Sequence, residues 1–263
     1  MTNDRTPDKS VAVPVWGNFS VGTEVVPSRL GEAVVIRLTE AILEGKLKPG
    51  DPLPSEGRIA VAFGVSKPIA REALRDLSAM GVIQVAQGKI SRVRAIDSAP
   101  LARFFRFAVG STAKGIRDAV ELRRMLEPQI ARQAALRRNE GDMAAIHTTL
   151  VSMEAAIDDV PSWIEADLAF HEQMALATHN KLVCLQMQGL EPVVREMMSR
   201  FNARGPRTRQ DLQKTLDRHI LVAQAIIAGD GQAAEQAMHS HFEAANEAIS
   251  EIYGTDTPAV SPH

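Results

Sequence analysis

The chain of 263 residues has very little cysteine and few aromatic side chains. A single cysteine, Cys184, excludes a disulfide within the chain and is typical of a reducing cytoplasm. Aromatic residues make up only 4% of the sequence, whereas apolar residues together reach 45%. Alanine, leucine, isoleucine and methionine dominate, and these residues favour helices. The composition predicts a soluble globular protein with a sizeable, mainly helical core.

Long apolar runs are missing as well. No stretch approaches the roughly 20 residues that a membrane-spanning helix needs. The N-terminal Met1–Ser10 lacks the apolar core of a signal peptide. We therefore expect a cytoplasmic protein, and at this length we expect two domains.

The net charge of −2 conceals an uneven distribution along the chain. Residues 29–96 contain 11 basic and seven acidic residues, a net charge of +4, whereas residues 97–263 have a net charge of −5. A local basic excess is what contact with nucleic-acid phosphates requires. The first of these parts is therefore the predicted DNA-binding part.

The basic part contains the most informative stretch, LPSEGRIAVAFGVSKPIAREALRDLSAMGVIQVAQG. Its pattern predicts a helix, a tight turn and a second helix. Ser55 and Ser66 are the predicted N-caps, and Gly64 lies at the turn, where a left-handed backbone is needed. A hairpin of two short strands is predicted next, at residues 82–85 and 91–94.

The second helix of this stretch has cations away from its apolar stripe. Lys67 lies in its first turn, and Arg71 and Arg75 are four residues apart on one face. Such a helix suits the major groove, and the basic hairpin tip suits the minor groove or the phosphates. A helical pair that contacts no DNA is the alternative.

The rest of the chain has helical periodicity throughout. Seven helices are predicted, at residues 101–109, 116–136, 140–157, 163–177, 180–203, 208–228 and 233–253. We therefore predict a mainly α fold, an N-terminal winged helix-turn-helix followed by an all-helical antiparallel bundle of six or seven helices.

This pattern sets four expected divisions of the chain. Residues 1–28 mix proline, glycine and polar residues without periodicity and are expected to be disordered. The winged domain is expected at residues 29–96, the helical domain at residues 97–254 and a frayed tail at residues 255–263.

Three predicted helices of the bundle carry polar residues on otherwise apolar faces. Asp167 and His171 are four residues apart and point the same way, while His219 and His241 each adjoin an apolar stripe. One carboxylate with three imidazoles suits a divalent first-row metal. The alternative is four unrelated residues, each bonded locally. His147, His179 and His239 have no evident partner and are expected at the surface or at helix caps.

The segments GKLKPGDPLPSE, FGVSKPIAREALRDLSAMGVI and QGK resemble the winged helix-turn-helix of the GntR family of bacterial transcription regulators. The resemblance places DNA contacts in the first turn of the second helix and at the wing tip, on Ser66, Lys67, Arg71, Gly88 and Lys89. Arg71 is the leading candidate for a bidentate contact with guanine.

One departure from the family pattern affects the first helix of the motif. Members usually have a DNA-contacting arginine directly after the glutamate of LPSE, but here Gly57 occupies that place and Arg58 follows it. Arg58 is turned by about 100° from that position, because successive helical residues are related by that rotation. Arg58 remains a candidate DNA contact, and the operator sequence does not transfer.

The segments ELRRMLEPQIARQAA, DLAFHEQMALATHNKLV and RHILVAQAIIAGDGQAAEQAMHSHFEAA resemble the FCD effector domain of the FadR subgroup. Many such domains bind a divalent ion, of the zinc, nickel or manganese class, through an aspartate and three histidines. The matching residues here are Asp167, His171, His219 and His241. Arg123 matches a position facing a pocket for a small carboxylate, although a surface arginine paired with Glu127 is the alternative.

The resemblance implies a homodimeric regulator, a repressor of operator DNA, controlled by a sugar acid or short organic acid. A regulator that senses the metal itself is a second interpretation. A metal-dependent hydrolase is a third, but we see no placed general base, since Glu172 points about 100° away from the Asp167 and His171 face. We therefore expect no enzyme.

Overall fold

The structure is a computed structural model that describes residues 27–85, 90–110, 112–205 and 207–253. Nearly all of the predicted disordered segment, all of the predicted tail, and the wing-tip residues Gly88 and Lys89 lie outside the described residues. The described chain divides into two compact units, one ending at Ala95 and the other beginning at Ile96.

The first unit has the predicted winged helix-turn-helix architecture. It consists of α1 (Pro27–Leu43), α2 (Glu56–Phe63), α3 (Lys67–Ala79), β1 (Ile83–Gln84) and β2 (Arg92–Val93). The two strands pair antiparallel, with Ile83 opposite Val93.

Local chemistry explains the turn between α2 and α3. The Ser55 hydroxyl accepts a hydrogen bond from the Arg58 backbone N–H and caps α2. Gly64 ends α2 with φ of 65°, a left-handed conformation in which glycine avoids a steric penalty. Ser66 occupies the N-cap position of α3, but its side chain makes no capping hydrogen bond, so the predicted cap is wrong in that detail.

A small core holds the first unit together. Apolar side chains from α1, α2, α3 and both strands are fully buried in it, among them Val34, Leu38, Ile59, Ala70, Ala73, Leu74, Leu77, Ile83 and Val93. The exposed faces of α2 and α3 are thereby presented on a rigid base.

The second unit contains the seven predicted helices. They are α4 (Ala99–Val109), α5 (Ala113–Arg137), α6 (Glu140–Ala155), α7 (Val160–Leu176), α8 (Lys181–Arg204), α9 (Arg209–Ala228) and α10 (Gly231–Tyr253). Their ends differ from the predicted ends by three residues at most. Within the described chain, no helix combines the length and the apolar character needed to cross a bilayer.

Helix α7 lies between two apolar cores of this unit. Its Trp163, Phe170 and Met174 belong to a large core shared with α5, α6, α9 and α10. Ile164 and Leu168 belong to a smaller core shared with α5 and α8. Because both of these sides of α7 are covered, Asp167 and His171 are buried, whereas Glu165 on the same helix is exposed.

Helices α4 and α8 approach closely at Gly189. A Cβ atom at this position would lie 2.8 Å from Cβ of Leu101 and 3.3 Å from the Phe105 ring. Only glycine permits this spacing, because real Cβ contacts are never that short without displacement of the neighbour.

Candidate metal centre, effector pocket and DNA-binding surface

The structure brings the four polar residues of the bundle together. Asp167 and His171 come from α7, His219 from α9 and His241 from α10, and all four are buried. Nε2 of His171 lies 3.4 Å from Nε2 of His219, and Nε2 of His219 lies 3.3 Å from Oδ1 of Asp167. One donor atom from each histidine lies within 4.8 Å of the others. The side chains therefore form one cluster rather than separate sites.

Hydrogen bonds on the outer side orient two of the imidazoles. Nδ1 of His171 donates to the carboxylate of Glu127. Nδ1 of His219 donates to the backbone carbonyl of Thr215 at 2.8 Å. Each proton on Nδ1 leaves a lone pair on Nε2, so the two Nε2 atoms face each other as acceptors.

The protonation states favour a cation at the centre of this cluster. Burial lowers the pKa of His171, and burial together with the neighbouring imidazoles lowers the pKa of His241 well below its usual value. Burial alone would raise the pKa of Asp167, but its close contact with His219 and the surrounding imidazoles outweigh burial and hold that pKa well below the ordinary range. Metals bind neutral imidazoles and ionised carboxylates, so the directions of these shifts for Asp167, His171 and His241 suit a cation.

The atom positions also fit a metal ion. Two bonds of about 2.0–2.1 Å that meet at a tetrahedral angle separate their outer ends by about 3.4 Å. The distances of 3.4 Å and 3.3 Å around Nε2 of His219 match that spacing. Nδ1 of His241 is buried without a hydrogen-bond partner among the described residues. Converging acceptors and an orphaned nitrogen are an arrangement that a divalent cation would satisfy.

Glu127 connects this cluster to Arg123. The Glu127 carboxylate is fully buried and accepts hydrogen bonds from Nε of Arg123 and from Nδ1 of His171. Burial would raise the pKa of Glu127, but the nearby Arg123 charge and the His171 bond lower it overall. The sequence offered an ion pair of Arg123 with Glu127 at the surface as the alternative to an effector contact. The structure contains this pair, but it is buried. The contact of Glu127 with His171 was not predicted.

A pocket of about 500 Å³ opens beside the cluster, between α5, α7 and α8. Arg123 and His171 reach its inner wall, so the predicted effector residue and one cluster histidine share it. The rest of the wall is partly apolar, with Leu168 and Val194, and partly charged. A cavity of this size holds a small metabolite.

Phenylalanine rings pack around the cluster. The Phe170 ring lies edge-on to both His171 and His219, with centroids 5.6 Å and 4.7 Å away. Phe242 packs on His241 at 5.2 Å and carries the Arg123 guanidinium 5.3 Å from its centroid. These rings restrict the rotamers of the imidazoles and exclude water from one side.

Arg207 is, after Glu127, a second residue whose contacts the sequence pattern did not predict. It donates to the hydroxyl of Thr215 and, at 3.0 Å, to the carbonyl of Asp211, and it lies 5.1 Å over the ring of Trp163. It lies just before α9, outside any periodic segment, so no helical pattern could identify it.

The other three histidines within the described ranges lie apart from the cluster. His147 and His239 are exposed, as predicted. His179 is also exposed and adopts φ of 51°, and its Nε2 lies 2.9 Å from the Asp142 carboxylate. The partner of His179 was not foreseen, because it lies 37 residues away in the sequence.

The predicted DNA contacts of the first unit lie on an exposed surface. Arg58, Ser66, Lys67 and Arg71 are all exposed on or next to α2 and α3. The Arg71 guanidinium is held by Glu56 through Nε at 3.1 Å and Nη2 at 2.9 Å. The leading candidate for a guanine contact is therefore engaged with a carboxylate in this structure.

Comparison with known proteins assigns both units. Residues 30–93 match the family described as bacterial regulatory proteins, gntR family, and residues 118–244 match the FCD domain. The LutR regulator of Bacillus subtilis is 30% identical over 210 residues, which cover 80% of this chain and 96% of that protein. The chain belongs to the GntR family of bacterial transcription regulators.

Other GntR proteins support the same assignment. The galactonate operon transcriptional repressor of Escherichia coli K12 is 29% identical over 230 residues, covering 84% of this chain and 97% of that protein. A solved structure, Streptococcus agalactiae GntR, matches with a TM-score of 0.62 and 25% identity over 82% of this chain and 99% of that one. The family consists of transcription regulators rather than enzymes, and the FCD domain fits the FadR-type subgroup.

Lys67 lies close to Gly57, the position at which the sequence departs from the family pattern. A Cβ atom at Gly57 would lie 3.5 Å from Cε of Lys67. The Lys67 side chain therefore lies over the place where family members usually carry arginine. A cation is retained on this part of the surface, although it comes from α3 instead of α2.

Proposed function

We propose that this GntR regulator is a homodimeric repressor that works in the bacterial cytoplasm and is controlled by a small carboxylate. The carboxylate binds beside a divalent metal ion in the helical unit. The observation that carries the proposal is the convergence of Asp167, His171, His219 and His241 next to a pocket that Arg123 lines.

The metal would be held by the four clustered side chains. Three imidazoles and one carboxylate suit a zinc, nickel or manganese ion. When bound, the ion supplies a positive charge and open coordination positions for an anionic oxygen. His171 belongs to the cluster and also lines the pocket, so an ion held by His171 would lie next to the pocket wall.

Arg123 would bind the effector carboxylate together with the ion. Its Nε is occupied by Glu127, while the remaining N–H groups of a guanidinium stay available to an acceptor. The name of the galactonate repressor of Escherichia coli concerns an operon for a sugar acid, which agrees with a carboxylate effector.

Two further points support dimeric DNA binding. Symmetric regulators bind palindromic operators with one reading helix per half-site. Phe104 and Phe107 on α4 are 65% and 89% exposed, and exposed phenylalanines of this kind suit a contact with a second copy.

Control of DNA binding would be a population shift. An acid that binds one arrangement of the helical unit more tightly than another changes the fraction able to hold the operator. A coupling free energy of about 1–3 kcal/mol corresponds to roughly a 5- to 150-fold change in operator affinity.

The experiment uses the full chain and a matched pair of double variants. His219→Ala with His241→Ala removes two cluster residues, and His147→Ala with His239→Ala removes two exposed histidines as the control. We expect the first variant to lose bound metal and acid-induced release of operator DNA, and the control to retain both. Metal content is measured by mass spectrometry and release by fluorescence anisotropy.

Two results would contradict the proposal. Unchanged metal content in the cluster variant would remove the metal site. Release of the operator by metal alone, with no response to any member of a broad carboxylate panel, would favour the metal-sensing interpretation.

A further inference from the structure

The pocket beside the cluster has walls of opposite character. Its inner wall carries the buried Arg123 and His171. Toward solvent the wall carries three partly exposed carboxylates, those of Glu165, Glu172 and Glu191. We call these three residues the acidic rim.

Arg195, which lies beside the acidic rim, does not neutralise its charge. Arg195 lines the pocket and forms ion pairs with both Glu165 and Glu191. Nε of Arg195 donates to Glu191 at 2.7 Å. Arg195 offsets one of the three negative charges, so the acidic rim and Arg195 together keep a net charge of −2. Arg195, already held by two carboxylates, is poorly available to an anionic ligand.

Glu172 has no cationic partner among the ion pairs of the described residues. It accepts a hydrogen bond from the Gln188 side chain at 2.8 Å, which leaves acceptor capacity on its carboxylate. The pKa of Glu191 is raised by partial burial and by the charge of Glu172. The two carboxylates therefore repel each other and attract hydrogen-bond donors or cations.

We propose that the acidic rim selects a monocarboxylate whose far end carries hydroxyl or amine donors, and that it excludes acids with a second carboxylate. This inference rests on the proposed function, because it requires one carboxylate at Arg123 and the metal. Hydroxyl or amine groups at the other end donate to Glu172 and Glu191. A second carboxylate there meets acceptors of its own charge.

The charge at the far end of the acid decides which acids bind beside the acidic rim. A ligand carboxylate next to the rim would lose water and meet acceptors of its own charge, since Arg195 and Gln188 already bond to rim glutamates. A terminal hydroxyl loses water and gains an ionised acceptor, which makes a charge-assisted hydrogen bond. The pocket of about 500 Å³ has room for a chain of several carbons, and its lining includes both Arg123 and the rim glutamates.

The test compares acids that differ only at the far end. Gluconate with glucarate, galactonate with galactarate, and glycerate with tartronate are such pairs, each a monocarboxylate and the matching dicarboxylate. Calorimetric titration of the metal-loaded full-length protein measures each affinity. At least one monocarboxylate is expected to bind about tenfold or more tightly than the matching dicarboxylate, because close like charges repel each other. Titration of 6-hydroxyhexanoate and 6-aminohexanoate distinguishes hydroxyl from amine donors.

Charge-neutral variants test whether the rim is the cause. In Glu172→Gln with Glu191→Gln, the dicarboxylate is expected to gain affinity, both from lost repulsion and because Arg195 then keeps only Glu165 as an ion-pair partner among the described residues. The control, Glu154→Gln with Glu196→Gln, removes two charges outside this pocket and should keep the wild-type preference. Higher salt should also narrow the wild-type preference, because it screens partly exposed charges.

The outcomes separate this inference from the function on which it rests. Equal affinity for both members of every pair, or an unchanged preference in the rim variant, overturns the selection and leaves the carboxylate site intact. Failure of every acid to bind the metal-loaded protein overturns both proposals.

Discussion

Glu127 accepts a hydrogen bond from Nδ1 of His171 and thereby points the opposite nitrogen of that imidazole at the cluster. The same carboxylate accepts from Nε of Arg123, which lines the pocket. One fully buried side chain therefore positions both a candidate metal ligand and the candidate effector-binding residue. The two binding events share a support, which gives a route for coupling between them.

The first prediction concerns Glu127→Gln. An amide is a weaker acceptor than a carboxylate and supports the His171 tautomer less well, so metal affinity should fall by about 10- to 100-fold. Competition with a chromophoric chelator measures that affinity. The exposed Glu121→Gln, on the same helix, should bind metal like the wild type. Wild-type affinity in the Glu127 variant would show that the hydrogen bond does not tune the site.

Removal of the metal should destabilise the protein. Without a cation, acceptors of Asp167, His171 and His219 face one another at 3.3–3.9 Å. Metal at about a thousand times its dissociation constant contributes roughly 4 kcal/mol to the free energy of unfolding, or on the order of 10 °C in Tm. Calorimetry with and without EDTA measures the difference. A chelator-insensitive Tm in protein shown to have lost its metal would contradict this expectation.

The third prediction separates the two functions of Thr215. Its backbone carbonyl orients His219, whereas its hydroxyl accepts from Arg207. Thr215→Val keeps the carbonyl, so metal affinity should stay within a few-fold of wild type. The free energy of unfolding should fall by about 1–3 kcal/mol, because Arg207 loses a buried acceptor. Thr149→Val, on α6, is the control for the loss of a buried hydroxyl remote from Arg207. A large loss of metal affinity in the Thr215 variant would show that its hydroxyl supports the site.

The fourth prediction concerns the ion pair between Glu56 and Arg71. Arg71→Ala should weaken operator binding, because α3 then loses its leading base contact. Glu56→Gln should strengthen DNA binding, since it releases the Arg71 guanidinium and removes a negative charge from the surface. Stability should change little, as the pair is exposed. Fluorescence anisotropy at several salt concentrations measures both effects. Weaker binding by the Glu56 variant would mean that Glu56 holds Arg71 in its DNA-reading position.

Regular periodicity explains why so much of the fold could be predicted. The bundle helices have apolar stripes, so their predicted ends lie within three residues of the ends in the structure. In the structure, local caps such as the Asn139 capping box and Gly229 in the left-handed region fix some of these ends. Periodicity also predicts that Asp167 and His171 lie one turn apart on one face of α7. It left four unrelated residues as the alternative, and the resemblance to the FCD domain favoured a shared metal site with His219 and His241.

Contacts between distant residues could not be predicted from the pattern. The ion pair of Arg71 with Glu56 spans 15 residues, and the Glu127 bond to His171 spans 44. Spacing within α5 could place Glu127 beside Arg123 but could not tell whether that face was interior. Such pairings depend on how helices are rotated against each other, which local periodicity does not specify.

The close approach at Gly189 has a mechanical consequence. Gln188 and Glu191 on α8 line the effector pocket, while Gly189 between them touches Leu101 on α4. Since no slack separates the two backbones there, a displacement of α8 by an arriving acid would push directly on α4. Helix α4 begins three residues after Ile96, where the second unit starts, so this displacement would reach the segment that joins the two units.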